Sequence, residues 1–312
     1  MGKFKSHIFL CFFGTGVLAN LNQPIFKIVE DLSYTNSGNH RHKLDLFLPE
    51  GRTKKNDLPL VVWIHGGAWQ SGNKKSGRNS HRLPRVLKTG RYVGASIHYR
   101  LSDEVKWPAQ IYDCKAAIRW LRGNAEKYGI DPLKIAVWGS SAGGHLASML
   151  GVSSLNKELE GSLGSFSNIS STVQAVINYY GPSAFLKMDD FPSKIEHHSA
   201  NSPESKLLGF PIRKKHMMAK QASPFEHATN ELPPFIHFHG TKDPLVPYNQ
   251  SLILHRKLLS FGNSSTLITV KNGGHYMPDK FTEDIVIPFL DYHFYKIGKA
   301  PKNLSFELRE KK

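Results

Sequence analysis

Val137-Trp138-Gly139-Ser140-Ser141-Ala142-Gly143-Gly144-His145 is the stretch whose reading decides the fold. An apolar run of strand length, Lys134 to Trp138, breaks at a serine flanked by glycines, and a helix is expected from Ala142. This is G-x-S-x-G spacing, which sets a serine on a tight strand-to-helix turn. A hydroxyl is a poor nucleophile unless it stands exposed beside a base. Glycines at 139 and 143 remove side chains that would keep strand and helix apart. The start of the helix would also turn free N–H groups and a positive dipole end toward a developing oxyanion. Ser140 sits off the motif's centre, which makes Ser141 the candidate nucleophile. A glycine-rich loop can produce the same spacing, so the surrounding chain decides its meaning.

Upstream, the apolar run Leu58 to Ile64 ends in His65-Gly66-Gly67-Ala68-Trp69. Two glycines after a buried strand allow bare backbone N–H groups to approach a substrate oxygen, and an HGG loop after the third strand has this form. The candidate oxyanion residues are Gly66, Gly67 and Ala142. Trp69 has two open readings: it walls the substrate pocket, or it packs in the core and supports the loop. Downstream, the strand Pro234–Phe238 runs into a glycine-containing loop carrying Asp243. The strand Ser265–Val270 is followed by Asn272-Gly273-Gly274-His275. Serine, acid and base thus follow in the order Ser141, Asp243, His275, with Asp243 able to orient the His275 ring.

These residues resemble the α/β-hydrolase superfamily and its esterase/lipase branch. The nearer likeness is to the family that includes the bifunctional feruloyl and acetyl xylan esterases. It is carried by His65 to Trp69, Tyr99-Arg100-Leu101-Ser102, Ile130-Asp131-Pro132 and the Ser141 motif. Ser202-Pro203-Glu204-Ser205-Lys206-Leu207-Leu208-Gly209 and His239 to Pro247 add to it. The likeness runs from Ile28 to Gly298. His98 departs from it, standing where many relatives carry an acid before Tyr-Arg. The resemblance implies a serine carboxylic-ester hydrolase that removes short acyl groups, such as acetyl, or feruloyl groups from polysaccharide or small esters. It implies no cofactor. An arylformamidase is an alternative, because the HGG-x-W pattern also resembles kynurenine formamidase. A lipase for long chains and a binding module on a catalytically dead fold are further alternatives; the latter usually lacks the serine or the histidine.

The chain has 312 residues, 40% of them hydrophobic, enough for one large α/β domain. Alternating strand and helix patterns from Pro59 onward indicate a doubly wound, mostly parallel sheet covered on both faces. Examples are strand Tyr92–His98, helix Pro108–Tyr128, strand Val173–Tyr179, helix Pro247–Phe261 and helix Phe281–Ile297. Phe26–Tyr34 and His42–Leu48 read as an antiparallel hairpin ahead of that sheet. Residues 181–232 have the length and mixed character of a small cap insertion. Met1 to Ala19 has a basic start, an apolar run too short to span a bilayer and a small-residue end, the pattern of a signal peptide. It predicts export, to the periplasm or outside, with residues 20–312 as the mature domain and no stable membrane insertion. Of two cysteines only Cys114 lies beyond this leader, so no disulfide is expected.

The net charge is +16, and its densest patch is Lys74, Lys75, Arg78, Arg82, Arg85, Lys88 and Arg91, a stretch read as one helix. It is either a solvated face or an attractor for an acidic polysaccharide. No nucleic-acid motif accompanies it. His197-His198 and His237-x-His239 lack further ligands at metal spacing, so no metal is expected.

Overall fold

The computed structural model describes residues 26–50 and 57–307, and the expected leader lies outside them. The first strands are β1 (Phe26–Ser33), β2 (Lys43–Pro49) and β3 (Leu58–Ile64). Two short helices, α1 (Lys75–Asn79) and α2 (Arg82–Leu87), lead to β4 (Val93–Ile97). Helices α3 (Ala109–Gly123) and α4 (Ala125–Tyr128) precede β5 (Ile130–Ser140), α5 (Ala142–Val152) and β6 (Ala175–Tyr179). Then come α6 (Pro203–Leu208), α7 (His216–Gln221), β7 (Phe235–Gly240), α8 (Asn249–Ser260), β8 (Ser265–Lys271), α9 (Ile287–Tyr295) and β9 (Leu304–Glu307).

Among the described residues the strands form one sheet in the order β1-β2-β4-β3-β5-β6-β7-β8-β9. The pairs β1–β2 and β2–β4 are antiparallel, and every other neighbour is parallel. The architecture is the expected doubly wound sheet with an N-terminal hairpin. Strand alternation builds its two cores. Leu60, Val62 and Ile64 face one side, with Val137, Leu146 and Leu150. Val61 and Trp63 face the other, with Ala136, Trp138 and Ile177. Helix α5 is buried along its whole length, as an all-round apolar helix must be.

From β3 the chain steps outward to β4, then returns past β3 to β5 and continues in the opposite direction. The carboxyl ends of β3 and β5 therefore flank the point where the winding reverses, the usual place for a ligand crevice in such sheets. Ile64 pairs with Gly139 across this crevice, so the HGG loop and Ser141 emerge side by side.

Several expectations are corrected. Helix Pro108–Tyr128 is two helices joined at Asn124. Helix Phe281–Ile297 opens with a π turn, Thr282–Val286, before α9. Pro288 has no N–H to continue an i→i−4 ladder, which accounts for the widened turn. Edge strand β9 was not expected from the sequence. The basic stretch is neither one helix nor an open face. Lys74 meets Asp45 at 2.5 Å and Asp31 at 3.1 Å, and Arg78 faces Glu30. Arg82 faces Asp279, Arg85 meets Glu283 and Arg91 meets Asp291. Five of the seven cations thus tie this segment to β1, β2 and the C-terminal helical region. That leaves the acidic-polysaccharide reading without the concentrated charge on which it rested.

Candidate active site

Ser141 stands between β5 and α5 at φ 55°, ψ −123°, a backbone state that costs energy for a residue with a Cβ. The surroundings hold it there. The Ser141 N–H donates to Tyr179 O at 2.8 Å, and the His145 N–H donates to Ser141 O at 2.9 Å. A Cβ on Gly139 would lie 2.1 Å from Gly143 O, and one on Gly143 would lie 2.1 Å from Ile64 O. The two flanking glycines are therefore required by close backbone approach.

The loop after β3 is built to match. Gly67, Ala68 and Trp69 are successively left-handed, at φ 105°, 55° and 57°. The Gln70 and Ser71 N–H groups both donate to Gly67 O. From behind, Tyr99 stacks on the His65 ring at 4.2 Å, and its hydroxyl donates to His65 O at 3.0 Å. Ser102 N–H donates to Trp69 O at 2.8 Å. The Tyr99 to Ser102 motif is thus a buttress for this loop. Burial pushes His65 down to about 4, so the ring is neutral, and its Nδ1–H donates to Gly66 O at 2.8 Å.

On the far side, His275 Nδ1 lies 2.7 Å from Asp243 Oδ2. Asp243 Oδ1 accepts from the Leu245 and Val246 N–H groups at 2.9 and 3.0 Å. Burial raises the Asp243 pKa, but the His239 and His275 contacts outweigh it and hold the carboxyl well below the usual range. The acid and histidine loops lock together through Gly240, where a Cβ would meet Gly273 O at 2.3 Å. Because the carboxylate only accepts, His275 carries a proton on Nδ1, which turns Nε2 away from Asp243.

One cavity of about 70 Å³ gathers these parts, lined by Ser141, Ala142, His275, Ala68 and Trp69 on the sheet side. Pro182, Ile195, His197, Pro203 and Glu204, from the segment expected as a cap, and Leu245 and Val246 complete it. Among the described residues, Ser141 Oγ makes no hydrogen bond to the His275 ring. In substrate-free enzymes that contact is often long.

The sequence-predicted residues divide clearly. Ser141, His275 and Ala142 reach the cavity directly, and Asp243 reaches it through His275. Gly66 and Gly67 are not among the residues that line it, whereas the next residue, Ala68, is. Trp69 is 1% exposed, and its indole N–H donates to His145 Nδ1 at 3.3 Å. It packs against Phe185 and also lines the cavity. Sequence reasoning missed Ala68, His239 and Tyr180. His239 Nε2 lies 2.9 Å from Val246 O and 3.2 Å from Asp243 Oδ2. The Tyr180 ring sits 4.4 Å from the His275 ring. The glycines drew attention to themselves, whereas nothing in the spacing singles out Ala68. Two other carboxylates of the chain are engaged away from His275: Asp113 holds Arg100 at 2.6 Å and His42 at 3.2 Å, and Glu283 holds Arg85.

Comparison with known proteins agrees with this geometry. The chain is 31% identical over 223 residues to "Probable carboxylic ester hydrolase LipM" of Mycobacterium tuberculosis, covering 71% of this chain and 49% of that protein. The chain spans about half the length of the curated relatives it matches. A solved "Truncated form of carbohydrate esterase from gut microbiota" superposes with a TM-score of 0.78 at 31% identity, over 87% of this chain and 98% of that one. "Thermogutta terrifontis esterase 2 phosphorylated by paraoxon" superposes with a TM-score of 0.66 at 26% identity, over 89% and 97%. The family model BD-FAE matches residues 44–258. With its sheet order, Ser141 turn and HGG loop, the chain belongs to the BD-FAE family of α/β-hydrolases.

Proposed function

We propose that this protein is a serine carboxylic-ester hydrolase for short acyl groups, with Ser141, His275 and Asp243 as its catalytic triad. The observation that carries the reading is the strained Ser141 sharing one small cavity with a histidine whose Nδ1 lies 2.7 Å from a buried carboxylate. Ser141 Oγ attacks the ester carbonyl while His275 Nε2 takes its proton. The resulting imidazolium is stabilised by Asp243. Among the described residues the Gly66, Gly67, Ala68 and Ala142 N–H groups have no acceptor and are free to bind the oxyanion, and Ala68 and Ala142 line the cavity. Collapse of the tetrahedral species expels the alcohol, which receives the proton from His275 and leaves an acyl-Ser141. Water, deprotonated by His275, then attacks the acyl carbon. The carboxylic acid departs and the Ser141 hydroxyl is restored.

The cavity size favours acetyl over feruloyl. Sites for drug-sized ligands span roughly 300–1,000 Å³, and this one is about 70 Å³. The solved carbohydrate esterase that superposes on this chain supports a sugar ester as the physiological substrate. We further read residues 1–19 as an export leader, checked by whether the mature N-terminus of the exported protein is Asn20. The substrate reading is tested with p-nitrophenyl esters from acetate to octanoate and with methyl ferulate. We expect kcat/KM to fall at least tenfold between acetate and octanoate and ferulate to be poor. A flat or rising series contradicts the short-acyl assignment.

A further inference from the structure

The mechanism leaves one polar pair on the cavity wall without a task. Glu204 and His197 both line the cavity, yet they are only 2% and 1% exposed. His197 Nδ1 lies 3.1 Å from Glu204 Oε2, but the contact is misaligned, and among the described residues neither atom has a hydrogen-bond partner. Both residues are firmly placed. Ser202 Oγ caps α6 by accepting from Ser205 N–H at 3.0 Å, Pro203 occupies its first turn, and Gly209 at φ 84° ends it. The His197 N–H donates to Asp189 Oδ1 at 2.8 Å, and its Nε2 lies 3.2 Å from Ser193 Oγ. The SPES segment therefore delivers a rigid carboxylate to the chamber that holds Ser141.

Burying a carboxylate without filling its acceptor sites is costly, and buried polar groups are as a rule hydrogen-bonded. An apolar side chain here would close the wall at lower cost. Retention of the carboxylate makes sense if its partner arrives with the substrate. We propose that Glu204, backed by His197, is a specificity-determining residue that accepts a hydrogen bond from a hydroxyl group of the bound ester. The Glu204 carboxyl oxygens offer acceptor sites on the cavity wall, so the fitting substrate brings a donor. The donor that an acylated sugar, polyol or hydroxy acid carries is a neutral hydroxyl. That hydroxyl belongs either to the alcohol, as in a partly acetylated sugar or polyol, or to the acyl group, as in a hydroxy-acid ester. The inference rests on the esterase reading above.

The test compares kcat/KM on propyl acetate, glycerol monoacetate and propyl lactate for the wild type and Glu204→Leu. In the wild type one hydroxylated ester should exceed propyl acetate by about tenfold or more, since a site built for a hydroxyl discriminates against analogues lacking it. Glycerol monoacetate as the preferred ester places the hydroxyl on the alcohol, and propyl lactate places it on the acyl group. In Glu204→Leu that ratio should collapse toward one, with Glu204→Gln between the two. A wild-type ratio near one overturns the proposal even if no variant folds. An unchanged ratio in a folded Glu204→Leu overturns it as well. No hydrolysis of any of the three strikes the esterase reading and this inference together, whereas equal hydrolysis strikes this inference alone.

Discussion

Asp243 carries the densest set of contacts at the site, because one carboxylate serves His275, His239 and two backbone N–H groups. Replacing it with asparagine keeps the shape but puts an amide where His275 needs an acceptor, which favours the wrong ring tautomer. Asp243→Asn should therefore lower kcat by about 10³–10⁴-fold with KM little changed, as measured by steady-state kinetics. The same substitution has a signature in stability. The folded pKa of Asp243 lies below its unfolded value of about 3.9. Its contribution is thus complete above that value and is lost only as pH falls through the folded pKa. Urea unfolding should show a wild-type advantage over Asp243→Asn that is constant from pH 5 to 8 and shrinks below about pH 4. An advantage already gone at pH 6 would show that the carboxylate is not held ionised by its neighbours. Ser141, Asp243 and His275 were all legible in the sequence, since each follows a strand pattern at the start of a Gly-containing turn. Glu204 was not, because its meaning depends on which buried atoms lack partners, and spacing carries no such information.

Among the elements, the loop from His65 to Ser71 is the one most dependent on its supports. Its left-handed run is held by Tyr99, Ser102 and the buried Trp69, whose indole bonds to His145 on α5. His145 Nε2 in turn donates to Ala222 O at 2.7 Å, joining the nucleophile helix to the segment that walls the cavity. Trp69 therefore braces the loop as well as lining the cavity. Trp69→Ala should cost about 3–5 kcal/mol of stability and lower activity evenly from acetate to octanoate esters. A selective gain on long chains would instead make the indole a chain-length gate. The glycine spacings made this loop legible as an element. Its supports were legible only as a motif, Tyr99 to Ser102, whose purpose appears once the chain is folded. The helix boundaries at Asn124 and Pro288 and the strand β9 were harder to read. Breaks inside apolar periodic runs and four-residue edge strands leave little periodicity in the sequence.

Over the whole molecule, the parallel sheet and its point of reversal bring together residues from positions 68 to 275 in one small cavity. The mostly parallel sheet and its N-terminal hairpin followed from the alternating patterns, but the distribution of charge did not. The cations between Lys74 and Arg91 look like a free patch in sequence because their carboxylate partners lie 29 to 200 positions away. With five of seven paired, kcat/KM on a neutral and on an anionic acetyl ester should respond alike to salt between 50 and 500 mM. A steep fall for the anionic ester alone would mean that the patch steers substrate after all. The central claim is that Ser141 is the activated nucleophile of an ester hydrolase. Incubation with a p-nitrophenyl phosphonate, followed by peptide mass mapping, tests it most directly. We predict one adduct, on Ser141, formed in step with loss of esterase activity and absent from a folded Ser141→Ala variant. An adduct on Ser140, or full loss of activity with Ser141 unmodified, would contradict the account.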